Sequence, residues 1–372
     1  MNISTQRIVV KFGTSLLTAG SDNLDLPVMN NLVKQVAKLH YIGREITIVS
    51  SGAITAGRQR LKESSRDKSI FFKQAFASVG QSHLMYIYEK LFSQHDIIIA
   101  QALLTKNDLT QRAGYLNARN TLMTLIDSRI ICIINENDVI ALDEIEELRF
   151  GDNDNLSAMV ANLVDADLLV LLTDITGLYT ADPHNDPEAR LIRRVDIIDD
   201  GIERLASSTT NDKGTGGMVT KIEAAKLATS SGVNVIIADG REKNILERID
   251  KGDEVGTLFP ARVDKMESRK RWMLSGLASR GKVTVDKGAA TAIGRNKGSL
   301  LPSGVIKVDG DFQRGDIVDV IGQTDGHIAW GLSNYSSSEL TIIMGVRSDR
   351  ILSLLGHEHG DEIIHRNNMV VV

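Results

Sequence analysis

The feature that most constrains the fold is an alternation of short apolar, β-branched runs with longer stretches of helical periodicity over about the first 260 residues. Between the first two runs, Val28, Leu32, Val36 and Leu39 lie on one face of a helix that Gly43 can end. Several runs are apolar throughout, which is typical of strands covered by helices on both faces. The pattern predicts an α/β fold with an open, mainly parallel sheet sandwiched by helices. The predicted strands are residues 8–10, 46–49, 97–100, 130–134, 168–172 and 233–238.

The composition changes after about residue 260, where a highly charged stretch begins. Beyond it, short alternating strands broken by Gly and Asp are predicted in GKVTVDKGAATAI, GVIKVDGDFQRGDIVDVIG and GHIAWGLSNY. This pattern predicts a small β-rich barrel or sandwich. A chain of 372 residues is long enough for two or three domains. We therefore expect a large α/β domain over residues 1–260, a linker over 261–278, a small β-rich domain over 279–360 and a tail over 361–372.

Polar loops follow the predicted strands, and most of them contain glycine. They read KFGTS, SSGA, NEND, TDITG and ADG in chain order. Open α/β sheets bind ligands at the carboxyl ends of their strands. Five such loops on one rim of the sheet predict a cleft there.

Two lysines in this predicted cleft are candidates for binding an anion. GTGGMVTK leads into a helix whose N-terminus, together with Lys221, can face a phosphate, although a flexible loop before a helix is an equal alternative. Lys11 stands between Val10 and Phe12 in the first strand, where its charge is costly to bury unless an anion or acid pairs with it. The alternative for Lys11 is a side chain that extends to the sheet edge.

Short amides and acids are concentrated in INEND and GDNDN, at residues 134–138 and 151–155. Such side chains can bind an ammonium group, orient lysines or hold Mg²⁺ through water. Asp154 or Asn155 can instead cap the helix that follows. The acidic stretch at 142–148 fits either a lid over a substrate or a solvated surface loop.

Several classes of function are disfavoured. The chain contains no GxxxxGK[ST] phosphate loop, no HRD or DFG protein-kinase motif, no GxSxG and no HExxH. A net charge of −5 argues against nucleic-acid binding by the whole chain. Cys132, the only cysteine, stands in an apolar run and is expected to be buried and unreactive. The spacing and terminal position of HEHGDEIIH favour solvated side chains over a metal site at His357, His359 and His365.

No signal-like or membrane-spanning apolar run is visible, so we expect a cytoplasmic protein without membrane association.

Taken together, the motifs resemble the amino acid kinase family, and within it the members that phosphorylate the side-chain carboxylate of glutamate. The resemblance extends over nearly the whole chain and keeps the order and spacing of the motifs. The C-terminal part, with VDKGAATAI and FQRGDIVDV, resembles the PUA domain that many bacterial members carry. The other motifs are KFGTS, VSSGAITAGR, FASVGQSHL, LLT, YLNARNTL, INEND, GDNDNLSA, LLTDITGLYTADP, GTGGMVTK and VGTLF.

The resemblance implies a role for individual residues. Lys11 and Lys221 would flank the transferred phosphoryl group, with Asp154 holding them in place, and Lys11 would also contact ATP. The substrate glutamate would bind at Ser51, Gly52, Asp138 and Asn153. The remaining ATP-binding positions implied are Thr173, Asp174, Thr215, Gly216, Gly217, Met218, Val219, Thr220 and Lys221.

The resemblance also implies cofactors and partners. ATP would arrive with Mg²⁺ carried mainly by the nucleotide, and L-glutamate would be the phosphate acceptor in the first step of proline synthesis. Proline would inhibit, glutamate-5-semialdehyde dehydrogenase (γ-glutamyl phosphate reductase) would take the product, and the chain would form a homo-oligomer, a dimer or tetramer. The acidic loop after INEND is longer than in most members of the family and borders the implied substrate site.

Two alternatives stay open at this point. One is another carboxylate kinase of the same fold, such as acetylglutamate kinase, although the acids of INEND and GDNDN favour a free ammonium group. The other is an RNA-binding regulator that uses the PUA-like domain. RNA binding is not expected, since the region shows no dense basic stripe.

Overall fold

The computed structural model describes residues 5–62, 70–140, 153–183, 185–208, 217–262, 279–294, 298–323 and 326–371. The chain divides into two compact units. The first comprises Met1–Leu109 and Ala118–Lys265, and the second comprises Thr110–Asn117 and Met266–Val372.

A seven-stranded sheet forms the centre of the first unit. Its order is β3-β4-β2-β1-β5-β6-β7, and every neighbouring pair is parallel except β6 with β7. All six predicted strands are present, and the short edge strand β7 joins them. The predicted parallel α/β architecture is therefore confirmed. The strands are β1 (Arg7–Phe12), β2 (Glu45–Ser50), β3 (Ile99–Leu104), β4 (Ile131–Glu136), β5 (Leu168–Thr173), β6 (Asn234–Asp239) and β7 (Thr257–Phe259).

Helices pack on the sheet because its central strands are apolar on both faces. All six residues of β5 are buried, as expected for a strand covered on both sides. The predicted amphipathic helix is also present; its Leu32, Val36 and Leu39 are buried, and Gly43 follows it with a left-handed φ of 98°. The helices are α1 (Thr14–Leu17), α2 (Leu26–Tyr41), α3 (Ala53–Leu61), α4 (Ile70–Phe92), α5 (Lys106–Thr110), α6 (Arg112–Asp127), α7 (Asn153–Leu163), α8 (Asp200–Ser208), α9 (Met218–Ser230) and α10 (Ile245–Asp250).

The register of the central strands brings their carboxyl ends level with one another. Lys11 of β1 pairs with Val49 of β2 on one side and with Leu171 of β5 on the other. Loops that leave these three strands therefore start from one rim of the sheet, as the sequence predicted.

The second unit is built on a five-stranded mixed sheet of order β12-β11-β10-β8-β9. Its strands are β8 (Gly281–Val285), β9 (Val305–Gly310), β10 (Ile317–Gly322), β11 (Gly326–Leu332) and β12 (Met369–Val371). The helices are α11 (Lys287–Gly294), α12 (Ser337–Ile343) and α13 (Ile351–Leu355). A separate core that includes Val283, Phe312, Val320 and Tyr335 holds the unit together.

The predicted strand character of this region is confirmed, with one difference. Residues of the run DKGAATAI form helix α11, not a strand.

None of the helices in the described ranges combines the length and the apolar character needed to cross a membrane.

Candidate active site

Two lysines share one buried carboxylate at the rim of the sheet. Lys11 Nζ lies 2.5 Å from Asp154 Oδ1, and Lys221 Nζ lies 3.2 Å from Asp154 Oδ2. Lys11 comes from the end of β1, Asp154 from the first turn of α7 and Lys221 from the first turn of α9. Strand alternation explains the position of Lys11, because Val10 and Phe12 face the hydrophobic core and Lys11 therefore faces the opposite side.

Burial makes this cluster electrostatically strong. Asp154 is fully buried, and Lys11 and Lys221 are only 3% and 4% exposed. Burial alone would raise the pKa of Asp154, but the positive charges of Lys11 and Lys221 and hydrogen bonds from Lys11 and Thr220 outweigh it and hold the pKa well below its ordinary value. Asp154 therefore stays ionised beside the two lysines.

The N-terminus of α9 adds a second source of positive potential. Gly217 occupies the N-cap position with extended backbone and no side-chain cap, so the amides of the first turn are available to an anion. Thr220 Oγ1 lies 2.9 Å from both Asp154 Oδ2 and the Gly217 carbonyl, which ties the start of α9 to α7. Of the predicted phosphate loop, Met218 and Val219 open this helix, whereas Thr215 and Gly216 lie outside the described residues.

The end of β5 supplies the two residues predicted to contact the nucleotide. Thr173 is buried, and its hydroxyl donates to Asp174 Oδ1 at 3.0 Å. Arg241, in the loop after β6, donates to the Asp174 carbonyl and to both carboxylate oxygens of Asp239. Hydrogen bonding to Asp239 raises the pKa of Arg241, so this loop carries a fixed guanidinium.

A cluster of amides lies beside the lysines, joined to them through the consecutive residues Asn153 and Asp154. Asn153 Nδ2 donates to Ser51 Oγ at 2.9 Å and to Asn135 Oδ1 at 3.0 Å. Asn135 Nδ2 in turn donates to Gln81 Oε1 at 2.8 Å. Within the described part of the chain, Asn153 Oδ1 is buried without a hydrogen-bond partner. A buried acceptor of this kind suits a donor such as an ammonium group.

The start of α3 completes the amide side of the site. Gly52, its N-cap, adopts a left-handed φ of 102°, and no side chain caps the helix. The amides that follow Gly52 can therefore face a carboxylate. Ser51 is fixed by its amide, which donates to the Phe12 carbonyl at 3.1 Å. Asp138 lies in the turn that follows β4.

Several alternatives raised by the sequence are decided by this geometry. The alternative in which the Lys11 side chain extends to the sheet edge is wrong, because the side chain is buried against Asp154. Asp154 is not a helix cap, because it is the second residue of α7 and its carboxylate forms ion pairs with Lys11 and Lys221. The acidic stretch 142–148 lies outside the described residues. Cys132 is buried as predicted, and burial raises the pKa of its thiol to about 12.

Two residues that sequence reasoning missed belong to these networks. Gln81 sits on α4 and bonds Asn135, and Arg241 bonds the Asp174 carbonyl. The only sequence signal for Gln81 is its place in FASVGQSHL, and Arg241 directly follows the ADG loop.

Comparisons with known proteins agree with the fold. The model of the amino acid kinase family matches residues 6–239, and the model of the PUA domain matches residues 281–355. The chain belongs to the amino acid kinase family, with a PUA domain following the kinase region.

Individual relatives narrow the comparison. The chain is 53% identical over 367 residues to glutamate 5-kinase of Dehalococcoides mccartyi, covering 99% of this chain and 98% of that protein. It is 48% identical over 364 residues to glutamate 5-kinase of Herpetosiphon aurantiacus, covering 98% of each. The solved structure of UMP kinase from Bacillus anthracis covers 70% of this chain, and 97% of its own, at 16% identity with a TM-score of 0.49.

Proposed function

We propose that the chain transfers the γ-phosphoryl group of ATP to the side-chain carboxylate of L-glutamate, which is the reaction its full-length relatives are named for. The observation that carries the proposal is the buried Lys11–Asp154–Lys221 cluster beside the uncapped start of α9. Phosphoryl transfer requires charge stabilisation and positioning more than covalent chemistry by the protein. This cluster provides both.

The reaction balances without a general base. A side-chain carboxylate oxygen forms a bond to the γ-phosphorus while the bond from that phosphorus to the β–γ bridging oxygen breaks, and ADP leaves. Because the ordinary pKa of a glutamate side chain is about 4.3, the nucleophile is already ionised at neutral pH. Lys11, Lys221 and the first amides of α9 would stabilise the charge on the transferred group, while Asp154 keeps the two ammonium groups in place.

Ser51, Gly52 and Asn153 are the residues we assign to the amino acid. The uncapped start of α3 fits the α-carboxylate, and Asn153 Oδ1, which has no hydrogen-bond partner among the described residues, fits the α-ammonium. We place Asp138, which follows β4, on the same ammonium group. Since Asn153 and Asp154 are consecutive, the start of α7 would position both the bound amino acid and the Lys11–Asp154–Lys221 cluster.

Thr173, Asp174 and residues 215–221 are assigned to the nucleotide. Both carboxylate oxygens of Asp154 face lysines, so Asp154 is not free to act as a metal ligand. This fits Mg²⁺ carried by the nucleotide, because the ion prefers phosphate oxygens and retained waters. When bound, Mg²⁺ would neutralise charge on the phosphates.

The chemistry of the product supports a functional partner. γ-Glutamyl phosphate is a labile acyl phosphate, so we expect it to pass to glutamate-5-semialdehyde dehydrogenase for proline synthesis, with proline inhibiting at the glutamate site. Since ATP and glutamate are metabolites of the cytoplasm, we place the activity there. The family resemblance also leads us to expect a homo-oligomer. For the PUA domain we propose a regulatory or assembly role without RNA binding, because its sequence shows no dense basic stripe.

ADP release by the purified chain, measured with a panel of amino acids, tests the proposal. We expect turnover with L-glutamate and much less with N-acetylglutamate, which lacks the ammonium group that Asn153 and Asp138 would bind. Faster turnover with N-acetylglutamate would overturn the substrate assignment. ADP release that does not depend on any amino acid would overturn the reaction itself.

A further inference from the structure

Three potential metal ligands come together in the second unit, outside the proposed active site. The side chains are Glu339 on α12 and His357 and His359 in the segment after α13, and their ligand atoms all lie within 4.8 Å of one another. His357 Nε2 is 2.8 Å from Glu339 Oε1, and the two imidazole rings have centroids 5.0 Å apart. Glu339 precedes His357 by 18 positions and His359 by 20 in the sequence, so only the fold brings it to the histidines.

Glu339 is held in one orientation by the start of its own helix. Its Oε2 accepts hydrogen bonds from the amide and the hydroxyl of Ser336, both at 2.7 Å, in a capping box. The remaining oxygen, Oε1, is therefore the one that faces His357. A carboxylate fixed in this way is a preorganised ligand.

The backbone that carries the histidines is also fixed. The His359 amide donates to the hydroxyl of the buried Tyr335 at 2.9 Å, and that hydroxyl donates to the Gly360 carbonyl at 2.6 Å. Gly360 adopts a left-handed φ of 110°, which turns the chain at this point. The two histidines are thus held beside Glu339 by a buried aromatic anchor.

We propose that Glu339, His357 and His359 bind a divalent transition-metal ion of the imidazole-preferring class, with Zn²⁺ the best fit. Two imidazoles and one carboxylate are a known zinc ligand set that leaves a fourth position for water or another donor. Mg²⁺ and Ca²⁺ prefer ligand sets made of oxygen alone. Bound Zn²⁺ would connect the start of α12 to the segment near the C-terminus.

The geometry and the local charge fit such an ion. Zinc–ligand distances of about 2.0–2.1 Å place neighbouring ligand atoms about 3.4 Å apart in a tetrahedron. Side-chain rotations would therefore open the 2.8 Å contact between His357 and Glu339 by about 0.6 Å and close the widest separation, which is within 4.8 Å, by at most about 1.4 Å. Glu358, Asp361 and Glu362 flank the histidines in sequence, and the positive charge of Arg314 acts on His359. His357 is half exposed, which gives the ion an entry path.

His365, the third histidine of the HEHGDEIIH run, has a different role. Its Nδ1 accepts from the amide of Asn367 at 3.2 Å and caps a 3₁₀ helix, Arg366–Asn368. The spacing and terminal position of the run favour solvated side chains, and they give no sign of Glu339, which lies outside the run.

Zinc binding by the untagged full-length chain tests the proposal, measured by equilibrium dialysis against Zn²⁺ at neutral pH in excess Mg²⁺. We expect one Zn²⁺ per chain, and binding weakened at least about 10-fold in His357→Ala, His359→Ala and Glu339→Gln, since even the loss of a supporting partner weakens metal binding about 10–100-fold. Glutamine preserves the capping box, so Glu339→Gln tests the ligand without removing the cap.

His327→Ala is the matched control. His327 Nε2 lies 3.3 Å from Asp319 Oδ1, a histidine–carboxylate pair in the same unit, and neither residue is part of the three-ligand group. This variant should bind Zn²⁺ as the unmodified chain does. The proposal is overturned if the unmodified chain binds no Zn²⁺, if the three variants bind it equally well, or if His327→Ala alone loses it.

Discussion

Asp154 holds two ammonium groups with opposite oxygens of one carboxylate, and its own charge makes their burial tolerable. Moving an isolated charge from water into a protein interior costs several kcal/mol, and a buried pair offsets this only with good geometry. The contacts of 2.5 and 3.2 Å, with the Thr220 hydroxyl as a further donor, meet that condition. The Lys11–Asp154–Lys221 cluster therefore contributes to the stability of the fold as well as to the proposed catalysis.

Replacing Asp154 by Asn should remove both functions. The substitution leaves two buried lysines without an anion, so we expect a loss of about 3–5 kcal/mol in the free energy of unfolding. The folded-state pKa of Asp154 is lowered. Its contribution is therefore fully present above the unfolded-state pKa, about 3.9, and is lost only as the pH falls through the folded-state pKa.

Urea unfolding of the two proteins at pH 6 and pH 8 checks this prediction. Both values lie above the unfolded-state pKa, so the difference between wild type and Asp154→Asn should be the same at each. A difference that shrinks markedly from pH 8 to pH 6 would mean that Asp154 titrates in this range, contrary to the ion-pair geometry.

The amide cluster predicts a separation of substrate effects. Asn153→Ala and Asp138→Ala should raise the KM for glutamate far more than the KM for ATP, because they remove partners of the amino acid's ammonium group. Thr173→Ala, at the end of β5, is the opposing control and should act mainly on the KM for ATP. Steady-state kinetics with each substrate varied in turn would show this. If Asn153→Ala changed only the KM for ATP, the assignment to the glutamate pocket would be wrong.

Among the secondary-structure elements, α3 and α4 set the spacing of the amide cluster through an unusually close approach. A Cβ at Gly57 would lie 1.9 Å from the Phe76 carbonyl oxygen, and one at Gly80 would lie 1.8 Å from the Ala53 carbonyl oxygen. Backbone atoms cannot yield to such contacts. Gly80 directly precedes Gln81, and Ala53 directly follows Gly52, so the contact positions both sides of the proposed glutamate site.

Gly57→Ala should therefore separate the two helices and destabilise the chain by more than about 1 kcal/mol, the lower end of overpacking costs. Thermal unfolding and the KM for glutamate are the measurements, and both should worsen. Ser78→Ala is the matched control, because Ser78 is exposed on α4 and alanine suits a helix interior. An unchanged melting temperature in Gly57→Ala would contradict the close packing.

Most strands of the first unit could be predicted from the sequence alone. Strands β1, β2, β4, β5 and β6 are apolar runs, and their buried character is visible in the residues themselves. Edge strand β3 runs from Ile99 to Leu104, later than the predicted residues 97–100. Its exposed Gln101 interrupts the apolar run, so the apolar pattern does not show where the strand ends. Helix α11 lies in the run GKVTVDKGAATAI, where the alternation of GKVTV predicts a strand that ends at Val285. Its N-terminal signal is Asp286, whose side chain accepts from the Ala289 amide at 2.7 Å.

Long-range pairing explains the remaining differences. The strand β12 is three residues long and exists only because it pairs with β11, which no local pattern reveals. Lys11 has a local signal because its charge stands in an apolar strand, and Lys221 has one because it follows a glycine loop, whereas the role of Asp154 is implied only by the family resemblance. Gln81 has no such signal, because the local sequence of a helix does not show that an amide side chain on it will contact the Asn135 side chain.

At the scale of the whole molecule, the two units have separate hydrophobic cores. All the proposed catalytic residues lie before residue 222 in the sequence. A chain ending near Pro260 should therefore keep substantial glutamate-dependent ATP turnover. It should be less stable, since Leu116 packs with Ile317, Leu332 and Val370, which this truncation removes.

Activity and circular dichroism of the truncated chain test this two-module proposal. Retained turnover in a folded chain is expected, with altered proline response or assembly. A truncated chain that is well folded but inactive would show that catalysis requires the PUA domain. A separate measurement of RNA binding by the full chain at physiological salt should be negative, and tight binding would contradict the role we assign to that domain.

The central claim is that Lys11 and Lys221 stabilise phosphoryl transfer to a glutamate side-chain carboxylate, and trapping the product with hydroxylamine tests it most directly. Acyl phosphates react with hydroxylamine, so γ-glutamyl hydroxamate should form in step with ADP. Lys11→Ala and Lys221→Ala should lower kcat for this product at least about 10²-fold, the scale of one lost transition-state charge partner. Lys38→Ala, an exposed lysine paired with Glu247, should leave the rate unchanged. ADP formation without hydroxamate, or near-normal rates in folded Lys11→Ala and Lys221→Ala chains, would contradict the account.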